Sequence, residues 1–176
     1  MVKVKKSKII KKKSTQKIKR VAVVMGSVSD FPVMKEAVKT LKSFQVEHTV
    51  EVVSAHRTPE KLRDFSMKAD SLGYEVIIAG AGGAAHLPGM IAAWSDLTVI
   101  GVPIKNSSLD GWDSILSILQ MPKGVPVATV ALNNSQNAAL LALKILAIKD
   151  PLLKKRLEKF KKELCERVMK AKLPVF

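Results

Sequence analysis

Ser54-Ala55-His56-Arg57-Thr58-Pro59 sets an imidazole beside a guanidinium where an extended segment, His48 to Val53, gives way to a helix. Imidazole exchanges protons near neutral pH, so His56 is a candidate general acid/base. The fork of Arg57 is a candidate clamp for phosphate or carboxylate. Gly26-Ser27-Val28-Ser29-Asp30 offers a tight turn, two hydroxyls and a carboxylate ahead of another helix, where backbone amides favour an anion. Asp30 also suits ribose hydroxyls, and helix capping by Ser29 and Asp30 is the competing role. Gly80-Ala81-Gly82-Gly83-Ala84-Ala85-His86 reads as a loop of small residues that admits a ligand close to the backbone. His86, at its end, is either a second site residue or a histidine satisfied in the core.

Other chemistries lack their residues. Gly80, Gly82 and Ala85 fit G-x-G-x-x-A, but after a third strand rather than a first, and no acidic residue ends the next strand. Close packing of helix on sheet explains those glycines equally well. Three histidines without H-x-H or H-E-x-x-H spacing predict no metal, and His48 is read as structural. No phosphate-binding G-x-x-x-x-G-K-[ST] loop and no G-x-S-x-G elbow occurs. Cys165 is the sole cysteine, so no intramolecular disulfide forms. Trp112 is expected to cover a pocket, meet another subunit or pack in the core.

These segments need elements to hold them. Val21 to Met25 is a valine-rich run suited to a strand buried on both faces. A helix to Phe44 follows, with Pro32 near its start and Asp30 as a cap. The alternation continues with strands at His48–Val53, Glu75–Ala79, Leu97–Val102 and Val125–Leu132. Between and after them come helices at Thr58–Leu72, Ala84–Trp94, Asp110–Gln120 and Ser135–Ile148, and one from Pro151. The last helix has Leu152, Leu153, Leu157, Phe160 and Leu164 as its docking side. Such alternation predicts an α/β fold, a flavodoxin-like doubly wound parallel five-stranded sheet with helices on both faces, in three layers and strand order 2-1-3-4-5. Ligands bind beyond the carboxyl ends of such strands, where the winding reverses. All three candidate loops fall at that edge.

The net charge of +15 is unevenly placed. Residues 1–20 carry +10 from nine Lys and one Arg, and residues 21–176 carry only +5. The organisation expected is a disordered Lys-rich tail at 1–20, a catalytic domain at 21–150, and a C-terminal helix at 151–176 packed on the body or a neighbouring subunit. The tail lacks the aromatics of a single-strand binder, so nucleic acid is not the expected partner. There is no apolar stretch of a secretory signal, and the uncharged span Val76 to Ser95 is broken by glycines and Pro88, so no membrane partner is expected. A cytoplasmic location is expected, with organelle targeting by the basic tail left open.

Taken in order, Gly-Ser-x-Ser-Asp, Ser-Ala-His-Arg-Thr-Pro and Gly-Ala-Gly-Gly-Ala-Ala-His-Leu-Pro-Gly-Met resemble class I N5-carboxyaminoimidazole ribonucleotide mutases, the carboxy-transfer enzymes of de novo purine synthesis. Leu109-Asp110-Gly111, Gln120 to Pro126 and Asn137 to Leu141 extend the resemblance over roughly residues 20 to 165. It implies an isomerase that moves a carboxylate from the exocyclic nitrogen of the ribonucleotide to ring carbon C4, by loss and recapture of CO2, with no cofactor and no metal. It further implies His56 as acid/base, with His86 catalytic or positioning. Ser27, Ser29, Asp30, Ser54 and Arg57 would bind the nucleotide, and Gly82, Gly83, Ala84 and Leu87 would line the carboxylate or CO2. A homo-octamer is implied, with Leu109–Gly111 and the C-terminal helix as candidate contacts. Related class II enzymes carboxylate aminoimidazole ribonucleotide with free CO2 and differ at Arg57 and the Gly82–Pro88 run. That carboxylase is the alternative activity, and a non-catalytic nucleotide-binding module is the alternative of another kind. The basic tail is not a feature of the family, and the Asn133 to Gln136 loop is shorter than in many members.

Overall fold

β1 (Val21–Met25) is buried along its whole length because it lies inside a sheet covered on both faces. A computed structural model of the chain describes residues 20–106 and 109–173. β2 (His48–Val52) pairs in parallel with one side of β1, and β3 (Val76–Gly82) with the other. β4 (Thr98–Ile104) and the short β5 (Ala128–Thr129) complete the all-parallel order β2-β1-β3-β4-β5. This is the architecture expected from the sequence.

Alternate residues of each strand serve opposite layers. Val21, Val23, Val76, Ile78, Ile100 and Val102 pack under α1 (Phe31–Ser43) and α5 (Ser135–Leu146). Ala22, Val24, Ile77 and Ala79 face α2 (Pro59–Lys68), α3 (His86–Trp94) and α4 (Trp112–Leu119). Every loop that leaves a carboxyl end of the sheet therefore starts from a rigid two-sided core.

Three strands end two or more residues from where the sequence predicts, each for a physical reason. β3 runs on through Gly80, Ala81 and Gly82, read from sequence as loop, because β4 continues beside it and pairs with all three. A Cβ at Gly80 would lie 2.4 Å from Met34 Sδ, so glycine is what lets α1 cross there. β4 continues through Pro103, expected to close it. The Pro103 carbonyl accepts from the Asn133 amide, so its missing N–H faces the side where β5 has already ended. β5 is far shorter than Val125–Leu132, because the chain turns at Asn133 (φ 56°) and the Asn134 amide donates to the Ala131 carbonyl.

α6 (Pro151–Met169) docks through Leu153, Leu157 and Phe160, whose ring meets Phe44 edge-on at 5.5 Å. Leu152 and Leu164, expected on the docking side, are exposed. Of the expected tail, residues 1–19 lie outside the described residues. Arg20 is tied to the body by Glu75 and Asp150 at 2.6 and 2.7 Å. Among the described residues no helix is long and apolar enough to cross a membrane.

Candidate active site

Three loops meet over the carboxyl edge of β1, β2 and β3, and each is held by its own hydrogen bonds. After β1, Ser27 and Asp30 bond reciprocally around a 3-10 turn, Val28–Asp30. The Ser29 amide donates to Ser27 Oγ, and the Ser27 amide donates to Asp30 Oδ2 at 3.0 Å. Asp30 was expected to cap the long helix, but its side chain makes no capping bond to α1. The 3-10 turn inserted ahead of Phe31 turns the carboxylate back onto its own loop. Burial raises the Asp30 carboxyl above the ordinary carboxylate range, opposed by the Ser27 and Gly26 amides and the charge of Arg57.

After β2, Ser54 organises the next loop. Its amide donates to Thr58 Oγ1, whose hydroxyl donates to the Ser54 carbonyl. Ser54 Oγ accepts from the Arg57 amide and from Arg57 Nε at 3.2 Å. Arg57 Nη2 donates to the Gly26 carbonyl at 2.9 Å, joining the first loop to the second. The guanidinium is thus aimed by neutral acceptors, and among the described residues no carboxylate bonds it directly. An exposed Arg oriented in this way suits a phosphate.

After β3, Gly83 (φ 63°) and Ala85 (φ 46°) turn the chain sharply into α3, and the Ala85 amide donates to the Gly82 carbonyl. No side chain caps α3, so its first amides remain available to an acceptor. His86, its first residue, places Nδ1 2.6 Å from His56 Nε2. The rings are nearly perpendicular, at 83°, and both are exposed. In such a contact one nitrogen carries the proton and the other offers a lone pair. His86 is therefore not a buried core histidine.

These loops enclose a cleft of ≈370 Å³. Every site residue expected from sequence lines it except Gly83, which shapes the turn from behind. The sequence reading missed Asn106, which lines the cleft beside Gly82. The signal was its position just past a strand's carboxyl end, hidden because β4 was expected to close two residues early. A larger groove of ≈570 Å³ lies between α5 and α6, floored by Leu140, Leu141, Leu157 and Phe160. It holds no histidine, whereas the smaller cleft is lined by His56 and His86. Trp112 is 65% exposed and lines neither space, which removes core packing and pocket covering from its expected roles. Among the described residues no cluster of His, Cys, Asp and Glu could hold a metal.

The AIR carboxylase family model matches residues 20–167. The chain is 57% identical over 145 residues to an N5-carboxyaminoimidazole ribonucleotide mutase of Pyrococcus abyssi, an alignment covering 82% of this chain and 83% of that one. It is 55% identical over 149 residues to a phosphoribosylaminoimidazole carboxylase of Candida glabrata, covering 85% of this chain but 26% of that protein. The crystal structure of Treponema denticola PurE superposes with a TM-score of 0.78 at 27% identity, covering 85% of this chain and 93% of that one.

Proposed function

The chain belongs to the AIR carboxylase family, and on that premise we propose that it is an isomerase converting N5-carboxyaminoimidazole ribonucleotide to 4-carboxyaminoimidazole ribonucleotide in purine biosynthesis. The observation that carries this reading is the meeting of His56, His86 and Arg57 in one cleft at the sheet's carboxyl edge. The mutases of Pyrococcus abyssi and Thermotoga maritima, 57% and 52% identical, support it along most of their own lengths.

The reaction is written in two balanced stages. The carbamate C–N bond breaks, its electron pair stays on nitrogen, nitrogen takes one proton, and CO2 is set free. Ring carbon C4 then attacks CO2, a C–C bond forms, and the C4 proton leaves to a base. One proton is given and one is taken back, so a single imidazole can serve both stages. His56 has that role, with His86 bonded to its Nε2. Arg57 holds the phosphate, Ser27, Ser29, Asp30 and Ser54 hold the sugar–phosphate end, and the turn Gly82 to Leu87 lines the CO2. Gly83 contributes through backbone shape. Confining CO2 beside C4 supplies the proximity that a bimolecular capture would lack.

An octameric assembly accompanies this reading. Trp112, Leu116 and Leu119 form an exposed apolar stripe on α4, beside exposed Met90 and Trp94 on α3. Such a face is suited to burial against another copy, and light scattering of the purified protein at eight times the protomer mass is the expected result. The compartment proposed is the cytoplasm.

The test is incubation of pure protein with each nucleotide isomer, without ATP or added bicarbonate, followed by absorbance. Interconversion by wild type and its loss in His56→Asn are expected. Turnover only from aminoimidazole ribonucleotide with high bicarbonate would move the protein to the CO2-using carboxylases.

A further inference from the structure

We propose that Asn106 is a substrate-contacting residue that holds the migrating carboxyl group, as carboxylate and as CO2, by neutral N–H donation. This rests on the mutase reading of the same cleft.

Asn106 lines the same cleft as His56. Its carboxamide lies against the backbone of Gly82: a Cβ built there would stand 2.6 Å from both Nδ2 and Oδ1. Only glycine at position 82 allows that approach. The backbone leading to Asn106 is clamped, because Asn133 donates its amide to the Pro103 carbonyl at 2.8 Å and its Oδ1 accepts from the Lys105 amide at 2.9 Å. The carboxamide itself has no hydrogen-bond partner among the described residues. An exposed polar group that lines a cleft without a protein partner is available to a ligand.

The charge around it indicates which part of the ligand. The cation of the cleft, Arg57, is fixed to Gly26 and Ser54 at the β1–β2 end. At the β4 end the nearest cation in sequence, Lys105, is drawn to Asp110 at 2.6 Å. Among the described residues Asn106 is the polar side chain that β4 leads into the cleft. A cation beside the carbamate would stabilise its negative charge more than the neutral CO2 it must become, and so would slow the first stage. A neutral donor also bonds the carbamate oxygens more strongly than those of CO2, but by less than a full cation does. It can hold the carboxyl group near C4 while resisting release of CO2 less than a cation would.

The experiment compares wild type, Asn106→Ala and Asn106→Asp in the interconversion assay, scoring kcat, KM and free aminoimidazole ribonucleotide released per carboxylated product. Asn106→Ala is expected to raise KM severalfold, with kcat changed less, and to increase release of the decarboxylated nucleotide per carboxylated product. Asn106→Asp, the same shape with an anion facing the carboxylate, is expected to be worse than Ala. Thermal melting of each variant controls for folding, and Asn106→Gln supplies a second amide if the Asp variant does not fold. Wild-type coupling in Asn106→Ala, whatever the change in KM, would overturn the inference while leaving the mutase reading intact. Wild type without interconversion would overturn both.

Discussion

His56 Nε2 and His86 Nδ1 share one hydrogen bond, 2.6 Å long, between two loops thirty residues apart in sequence. The bond exists only while one of the two facing nitrogens lacks a proton. Substituting His86 by Ala removes the contact and frees the His56 ring, and should lower kcat by on the order of 100-fold through misplacement. Asn in its place restores a hydrogen-bonding atom without a titratable proton, and should recover most of that loss. Steady-state kinetics across pH distinguishes the roles. Recovery by Asn marks His86 as positioning, and an Asn variant as poor as Ala with a shifted pH optimum places the transferred proton on His86.

Arg57 bonds Gly26 and Ser54 through Nη2 and Nε, and this sets the plane of its fork. Lysine carries the same charge but cannot make both bonds. Arg57→Lys should raise KM about tenfold or more while kcat changes less, because phosphate binding is felt equally by ground and transition states. A fall in kcat alone, with KM unchanged, would count against the phosphate role.

Burial raises the Asp30 carboxyl in the folded chain. The folded state therefore binds more protons than the unfolded one between the ordinary carboxylate value and the raised value. Stability falls as pH climbs through that window, and the contribution of Asp30 is most favourable below it. Asp30→Asn removes the titration and keeps an oxygen for the Ser27 amide. The melting temperature of the Asn variant relative to wild type should rise from acid to neutral pH. A difference that is flat or falls over that range would show that Asp30 does not titrate in this way.

Gly111 precedes α4 with φ 91°, and a Cβ there would lie 2.5 Å from Leu132 Cδ1. Both the backbone angle and the contact oppose a side chain. Gly111→Ala should destabilise the protein by about 1–3 kcal/mol, read from urea or thermal unfolding. An unchanged midpoint would mean that Leu132 and the turn relax at no cost. The exposed stripe of Trp112, Leu116 and Leu119 starts at the next residue, so light scattering of the same variant tests whether assembly depends on this turn.

Strand-by-strand alternation and the strand order were legible because a parallel sheet covered on both faces leaves continuous apolar runs, as in Val21–Met25. The residues of the cleft were legible for a related reason: the loops that leave one sheet edge must converge, and each carried polar or small residues in an apolar chain. Boundaries were less so. Gly80–Gly82 and Pro103 look like breaks in sequence, yet they are strand, because the neighbouring strand and the early end of β5 supply what glycine and proline lack. Which face of α6 docks was blurred for another reason. Leu152 and Leu153 are adjacent and equally apolar, and only the body beneath them selects Leu153.

The sequence by itself determined the sheet, its edge and the chemical inventory there: one imidazole–guanidinium pair, one hydroxyl-rich turn and one turn of small residues ending in a second imidazole. Tertiary structure decided the relationships. His56 meets His86 because α3 begins one residue after a left-handed turn. Asp30 faces its own loop because a 3-10 turn intervenes before α1. Asn106 reaches the cleft because β4 runs two residues further than its proline suggests. Composition and spacing fix which groups share an edge, but only packing fixes the ångström distances on which proton transfer and hydrogen bonding depend.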